Sequence, residues 1–243
     1  EAEKIVGMKC LCATFVIGLL FFGSRHCFSQ SFMNQNFEEA SISGLSGGIL
    51  PTASAFPDWS AYYGSPSDPT YSGSLSSVFY DGVSTGGASI DLLDSNAPSG
   101  GAPLPLQGSY SALLEGSIPA ADTTASLGQT GTIPNTAQSL IFWAYGGGLD
   151  VSFDGQALSL MTISNTMNYT VYAANISAFA AETGQLLFTA PVNGGAELDN
   201  IQFSTSPVPE PGTLALCTLG GLSLALRRGR RALLFARHYE PKF

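Results

Sequence analysis

Between residues 31 and 208 the apolar positions come in short bursts, each cut off by Gly, Ser, Pro or Asn. The bursts fall at 77–80, 88–93, 110–114, 140–145, 149–153, 157–163, 169–173, 185–189 and 197–203. Recurrent short strands of this kind predict an all-β sandwich or barrel. Leu149, Val151 and Phe153 alternate with Asp150, Ser152 and Asp154, the period of a half-buried strand. Asp154-Gly155 then reads as a two-residue hairpin turn, because both residues tolerate the positive φ that such a turn demands. Leu158 and Leu160 start the return strand. The segment 139–145 is apolar on both faces, which predicts a central, doubly covered strand with Trp143 in the core. Trp59, after a Pro-Asp turn, is expected to plug the sandwich. Residues 175–183 predict one helical turn capped by Asn175 and stopped at Gly184, and 44–51 and 96–105 read as surface loops.

Two stretches break this pattern. After Met8, a plausible initiator, Lys9 precedes a compact apolar run at 10–23, and Cys27-Phe28-Ser29 offers small residues at the positions a signal peptidase reads. Residues 1–30 are therefore expected to be an N-terminal extension and secretory signal. Near the other end, 212–226 carries no charge, and Arg227, Arg228, Arg230 and Arg231 follow it. As a helix this run would reach roughly 22 Å, short of the ~30 Å hydrocarbon core. Snorkelling arginines and local bilayer thinning accommodate the mismatch. The basic cluster predicts a cytoplasmic, stop-transfer end.

Charge and cysteine narrow the chemistry between these ends. Residues 31–208 contain fourteen acidic side chains and no Lys, Arg or His, so no internal ion pair is available. Nucleic-acid binding is excluded, because phosphates need Lys or Arg. Ser-His-Asp and Cys-His triads, histidine-ligated zinc and a cationic phosphoryl clamp are excluded as well. The four cysteines all lie in the two membrane-directed segments, so the middle of the chain has no disulfide to stabilise it. The enzyme class still allowed is a paired-carboxylate glycoside hydrolase or lyase, with Glu115, Glu182 and Glu197 as candidates, although no spacing selects a pair.

Pro209-Glu210-Pro211, the apolar span and the arginine cluster together resemble a PEP-CTERM sorting signal. The resemblance covers about the last tenth of the chain and departs from the pattern in continuing through residues 232–243. It implies recognition of Pro209, Glu210 and Pro211 by an exosortase, passage through the membrane and delivery to the cell surface or extracellular matrix. The expected organisation is a signal over 1–30, a β-sandwich ectodomain over 31–203, a stalk over 204–211, a single transmembrane helix over 212–226 and a basic cytoplasmic tail over 227–243.

The ectodomain resembles a galactose-binding-like jelly roll in the order of four motifs. These are Asn36-Phe37-Glu38, Phe56-Pro57-Asp58-Trp59-Ser60, Tyr110-Ser111-Ala112-Leu113 and Ala196-Glu197-Leu198-Asp199-Asn200-Ile201. That family implies a structural Ca2+ site joining the first strand to the last, carried here by Glu38 and Asp199. It also implies carbohydrate as a ligand class. Tyr62, Tyr63 and Tyr71, in Gly/Ser/Pro-rich sequence, are the aromatic candidates for stacking on sugar rings. The expected function is non-enzymatic, with an extracellular polysaccharide as partner.

Overall fold

The computed structural model describes residues 31–44, 48–82, 86–96 and 103–208. The signal segment, Pro209-Glu210-Pro211, the apolar span and the arginine cluster lie outside the described residues. Among the described residues no helix is long and apolar enough to cross a membrane.

The strands are β1 (Ile49–Pro51), β2 (Ser60–Gly64), β3 (Ser77–Tyr80), β4 (Ser89–Asp94), β5 (Tyr110–Glu115), β6 (Thr124–Thr132) and β7 (Ser139–Gly147). They continue with β8 (Asp150–Phe153), β9 (Gln156–Ala157), β10 (Leu160–Asn165), β11 (Thr170–Asn175), β12 (Thr183–Ala190) and β13 (Gly195–Ser204). They form two sheets, one of order β1-β3-β4-β5-β13-β7-β11-β10 and one of order β2-β6-β12-β8-β9. The chain changes sheet at β1→β2, β2→β3, β5→β6, β6→β7, β7→β8, β9→β10, β11→β12 and β12→β13. Pairing is antiparallel except between β3 and β4.

The core lies between the sheets and follows the alternation of side chains along each strand. Leu140 and Phe142 of β7, Ile90 and Leu92 of β4 and Leu198 of β13 join one cluster with Leu127 of β6, Phe188 of β12 and Phe153 of β8. Phe142 meets Phe188 edge-on, with ring centroids 5.2 Å apart at 78°, so one aromatic pair spans the two sheets. Trp59 adds to it, its ring 6.2 Å from Phe188 and 5.6 Å from Phe37. Its indole N–H donates to the carbonyl of Asn34 at 3.0 Å, which satisfies the buried donor and fixes the N-terminal segment over the core.

Asp154 and Gly155 take φ of +46° and +75°, so the predicted hairpin turn between β8 and β9 forms as expected. Trp59 plugs the core as predicted, at 4% exposure.

Four expectations need correction. Residues 49–51, expected in a loop, form edge strand β1, because Leu50 is drawn into the core. The helical turn is a single 3₁₀ turn, Ser177–Phe179. Asn175 Oδ1 accepts from the backbone N–H and hydroxyl of Ser177, and that local competition replaces an α-helical cap. Gly184 does not stop a helix but sits buried inside β12, where an added Cβ would strike the Phe153 ring at 2.8 Å. Trp143 lies outside the core. On β7, residues 140, 142 and 144 are buried while Ile141 and Trp143 are half-buried and Tyr145 is exposed, so 141, 143 and 145 form the outward face.

Candidate binding grooves

The outward face of the five-stranded sheet carries small polar side chains. Tyr62 of β2 opposes Ser126 of β6, which opposes Thr189 of β12, which opposes Asp150 of β8. The hydroxyls of Ser126 and Thr189 bond to each other at 2.9 Å. Thr189 and Asp150 also line a groove of about 680 Å³ at one end of this face. Thr124, Thr189, Asp150 and Ser152 contribute polar groups, and Pro66 and Pro69 of the loop after β2 stand among the apolar lining. Thr124 is 2% exposed, and its hydroxyl has no hydrogen-bond partner among the described residues. A buried hydroxyl left this way carries a desolvation cost of about 1–3 kcal/mol.

The three aromatic candidates separate around this face. Tyr62 belongs to it, its hydroxyl accepting from Gln185 Nε2 at 3.2 Å. Tyr71 is 81% exposed on the loop that follows β2, two residues beyond the groove-lining Pro69. Tyr63 turns the other way and packs against the core, where burial and the charge of Asp91 raise its phenol pKa. It cannot share a platform with Tyr62, since adjacent residues on a strand point to opposite faces.

Glu38 and Asp199 lie near enough for their charges to interact. Glu38 Oε1 accepts the backbone N–H groups of Ser109 and Tyr110 at 2.8 and 3.1 Å. Asp199 accepts those of Gln107 at 3.0 Å and Asn200 at 2.6 Å. Asn200 adopts φ +49° within the bulge between Asp199 and Gln202, so a local departure from regular pairing sets the last of these bonds. Burial pushes the Asp199 carboxyl up to about 7, helped by the charges of Glu197 and Glu38 and opposed by its two N–H donors. Among the described residues no three His, Cys, Asp or Glu side chains are grouped as a metal ion would need. What the site offers a hard cation is two carboxylates that already accept backbone N–H groups.

The eight-stranded sheet has a second groove on its outward side, about 440 Å³, lined among others by Glu115, Glu197, Tyr145, Leu113 and Ile118. Gly195 of β13 opposes Glu115 of β5, and Glu197 opposes Leu113, so the two glutamates are diagonal neighbours on one face. Glu115 Oε2 accepts from the Ser89 hydroxyl at 3.0 Å. Glu197 is 1% exposed; its Oε1 takes a 2.5 Å bond from the Ser111 hydroxyl, and its Oε2 has no partner among the described residues. Burial pushes its carboxyl up to about 7 against the Ser111 and Leu106 hydrogen bonds. Glu182, the third candidate, is exposed in the turn before β12 and belongs to neither groove. Trp143 lies two residues from Tyr145 on the same face, and its ring stacks on Tyr169 with centroids 4.1 Å apart and planes 5° from parallel. The sequence hid this groove because its residues come from three separate strands and the segments between them, and the neighbouring Trp143 reads as core in a doubly apolar run.

No family model matches the chain, and no curated protein does. Among solved structures it is similar to the Stig cyclase Fisc from Fischerella sp. TAU, with a TM-score of 0.44 and 14% identity over 74% of this chain and 98% of that one. It is also similar to the carbohydrate-binding module TmCBM61, solved with β-1,4-galactotriose (TM-score 0.34, 15% identity, 72% and 97% covered). A third is the enzymatically active domain of tailspike protein 4 of bacteriophage CBA120 (TM-score 0.38, 16% identity, 72% and 21% covered). Likenesses this distant leave function to be argued from the chain's own residues.

Proposed function

We propose that this is an exported surface or matrix protein whose β-sandwich, a galactose-binding-like jelly roll, binds a neutral polysaccharide through the groove on the five-stranded sheet. The observation that carries the reading is the floor of that groove. It presents Thr124, Thr189, Ser152 and Asp150 beside proline and leucine, with one buried hydroxyl left unsatisfied and no cationic side chain available in residues 31–208. Hydroxyl and carboxylate groups beside apolar surface match a sugar, which offers C–H faces and hydroxyl donors. An anionic glycan would find no cation to receive it. Tyr62 and Tyr71 would extend the contact along the sheet and the loop.

The jelly-roll assignment draws support from the repeated passage of the chain between the sheets from β5 to β8 and from β11 to β13. Export and recognition by an exosortase rest on the residues of the two ends, above all Pro209-Glu210-Pro211 and the arginines that follow the apolar span. In this reading the span crosses the inner membrane with the sandwich outside the cytoplasm. Calcium, if bound by Glu38 and Asp199, would neutralise two carboxylates and clip the N-terminal segment to the last strand; its remaining ligands would be backbone and water oxygens.

A glycan array probed with the full chain tests the binding claim: retention on neutral polysaccharides supports it, and retention on none sinks it. Mass spectrometry of the mature C-terminus tests the sorting claim, which predicts loss of the segment beyond the Pro-Glu-Pro motif.

A hydrolase would require Glu115 and Glu197 as its pair. Both oxygens of Glu197 are turned away from solvent, one held by Ser111 and the other buried, and this disfavours direct attack on or protonation of a substrate. Release of reducing ends from a bound polysaccharide would reverse that judgement.

A further inference from the structure

We propose that strand β10 is a self-association edge: two copies of this chain pair antiparallel through their β10 strands, joining the two eight-stranded sheets across a two-fold axis near Ile163. Such pairing depends on neither glycan binding nor export.

Among the described residues the two sheets end in four edge strands, β1, β10, β2 and β9. An open edge presents unpaired N–H and C=O groups and is a template for another strand, so edges are normally blunted. Three of the four are blunted here. β1 is three residues long and ends in Pro51, which has no N–H to give. β9 is two residues, Gln156–Ala157. β2 is closed by the loop that follows it: the N–H groups of Ser72 and Leu75 donate to the carbonyls of Tyr63 and Ala61 at 2.9 and 2.8 Å, and the Tyr63 N–H donates to the Ser72 hydroxyl at 2.9 Å. β10 is six residues long, Leu160–Asn165, with no proline, glycine or charged side chain, and among the described residues it pairs with β11 alone. Its bulge between Thr162 and Ser164 bends the strand but does not cover it. From Thr162 to Asn165 every residue is exposed, so this half of the strand lacks cover on both faces as well as along its edge. Ile163, near its middle, is 52% exposed, and Met167, in the β10–β11 hairpin loop, is 96% exposed.

Charge selects the partner. Residues 31–208 carry fourteen carboxylates and no cation, so two copies repel wherever their acidic surfaces meet. Residues 155–181, which span β9, β10, β11 and the 3₁₀ turn, contain no charged side chain, and neither does β7. On the strands of the eight-stranded sheet the first acidic residues inward from β10 are Glu197 and Asp199 of β13, three strand spacings away, or about 14 Å. That exceeds the Debye length of about 8 Å at physiological ionic strength. Asp150 and Asp154 lie on and beside β8, in the other sheet. A second copy can therefore dock at β10 without setting carboxylates against each other. A two-fold axis makes the contact self-complementary, and antiparallel pairing about Ile163 sets the two isoleucines side by side. A basic partner would be drawn to the acidic surfaces instead and would find no counter-charge on this edge.

The test is hydrogen–deuterium exchange of the full chain in detergent at about 1 and about 100 µM, with the protein mass measured by light scattering at both concentrations. Pairing through β10 predicts a dimer at the higher concentration and amide protection within 160–165 that rises severalfold between the two. It also predicts a dissociation constant that falls as salt is raised, because screening weakens the repulsion between acidic copies. Ile163→Asp sets two carboxylates face to face and should weaken the dimer at least tenfold; since the side chain is exposed, Tm at the lower concentration should not move. Ile163→Val should keep the dimer, and so should Ile49→Asp on the blunted edge β1. A monomer at both concentrations, a dimer that survives Ile163→Asp, or a dimer that salt dissolves would overturn the proposal. Protection of 160–165 that is the same at both concentrations would mean that association, if present, lies elsewhere or that the same chain covers β10, and would overturn it too. That measurement needs no variant, so it stands even where a substitution impairs folding.

Discussion

The backbone N–H of Gln107 donates to Asp199 Oδ2 at 3.0 Å, joining residues 92 positions apart. With the bonds from Ser109 and Tyr110 to Glu38, it ties three segments together: the loop before β5, the N-terminal segment and the last strand. Burial raises the carboxyl of Asp199 in this tie and that of Glu197 two residues before it, and this gives the region a pH dependence of definite sign. Asp199 and Glu197 are both raised to about 7, from ordinary values of 3.8 and 4.5. Between the ordinary and the raised values the folded chain keeps protons that the unfolded chain has released. Stability is therefore greatest below about pH 4, is lost as pH rises towards 7, and levels off above it. Thermal melts should show Tm falling by on the order of 10 °C from pH 5 to pH 8, with a shallower fall in Glu197→Gln. A melting temperature that climbs over that range would contradict the assignment.

Calcium should act against the same trend. If Glu38 and Asp199 hold the ion, a hundredfold excess over Kd adds about 2.7 kcal/mol, or roughly 5–10 °C in Tm. Differential scanning calorimetry at pH 7.5 with millimolar calcium checks this. The shift should vanish in Glu38→Gln and in Asp199→Asn; a shift that survives both places calcium elsewhere, and no shift in the native chain removes the ion from the account.

Phe142 and Phe188 hold the two sheets together without any disulfide among the described residues. Replacing Phe142, fully buried, with Ala leaves a cavity between the sheets and should cost about 3–5 kcal/mol. Urea unfolding followed by tryptophan fluorescence measures it. A loss under about 1 kcal/mol would mean that this contact is not central to the core.

Much of the fold could be read from the alternation of side chains. The Asp154-Gly155 hairpin and the burial of Trp59 follow from residue types whose preferences are local. Strand β6 escaped notice because Thr-Ala-Ser-Leu-Gly-Gln-Thr-Gly-Thr has little apolar content of its own; its burial comes from lying between β2 and β12. Trp143 misled for the converse reason. A β7 apolar on both faces implies cover on both, yet one face is the aromatic ledge. The pairing of Glu38 with Asp199 was legible only through family resemblance, and that of Glu115 with Glu197 was not legible at all, because cross-strand register is not written in either strand alone.

Thr124 offers the most direct test of glycan binding. Thr124 lines the larger groove and its buried hydroxyl has no partner among the described residues, so Thr124→Val alters the groove's polar lining while sparing the fold an unsatisfied buried group. Affinity electrophoresis of the full chain in gels containing the neutral polysaccharide, run beside this variant and Tyr62→Ala, measures the effect. The account predicts roughly tenfold weaker retention for Thr124→Val with Tm unchanged or slightly higher, worth on the order of 1.4 kcal/mol of binding. Undiminished retention in both variants would contradict it.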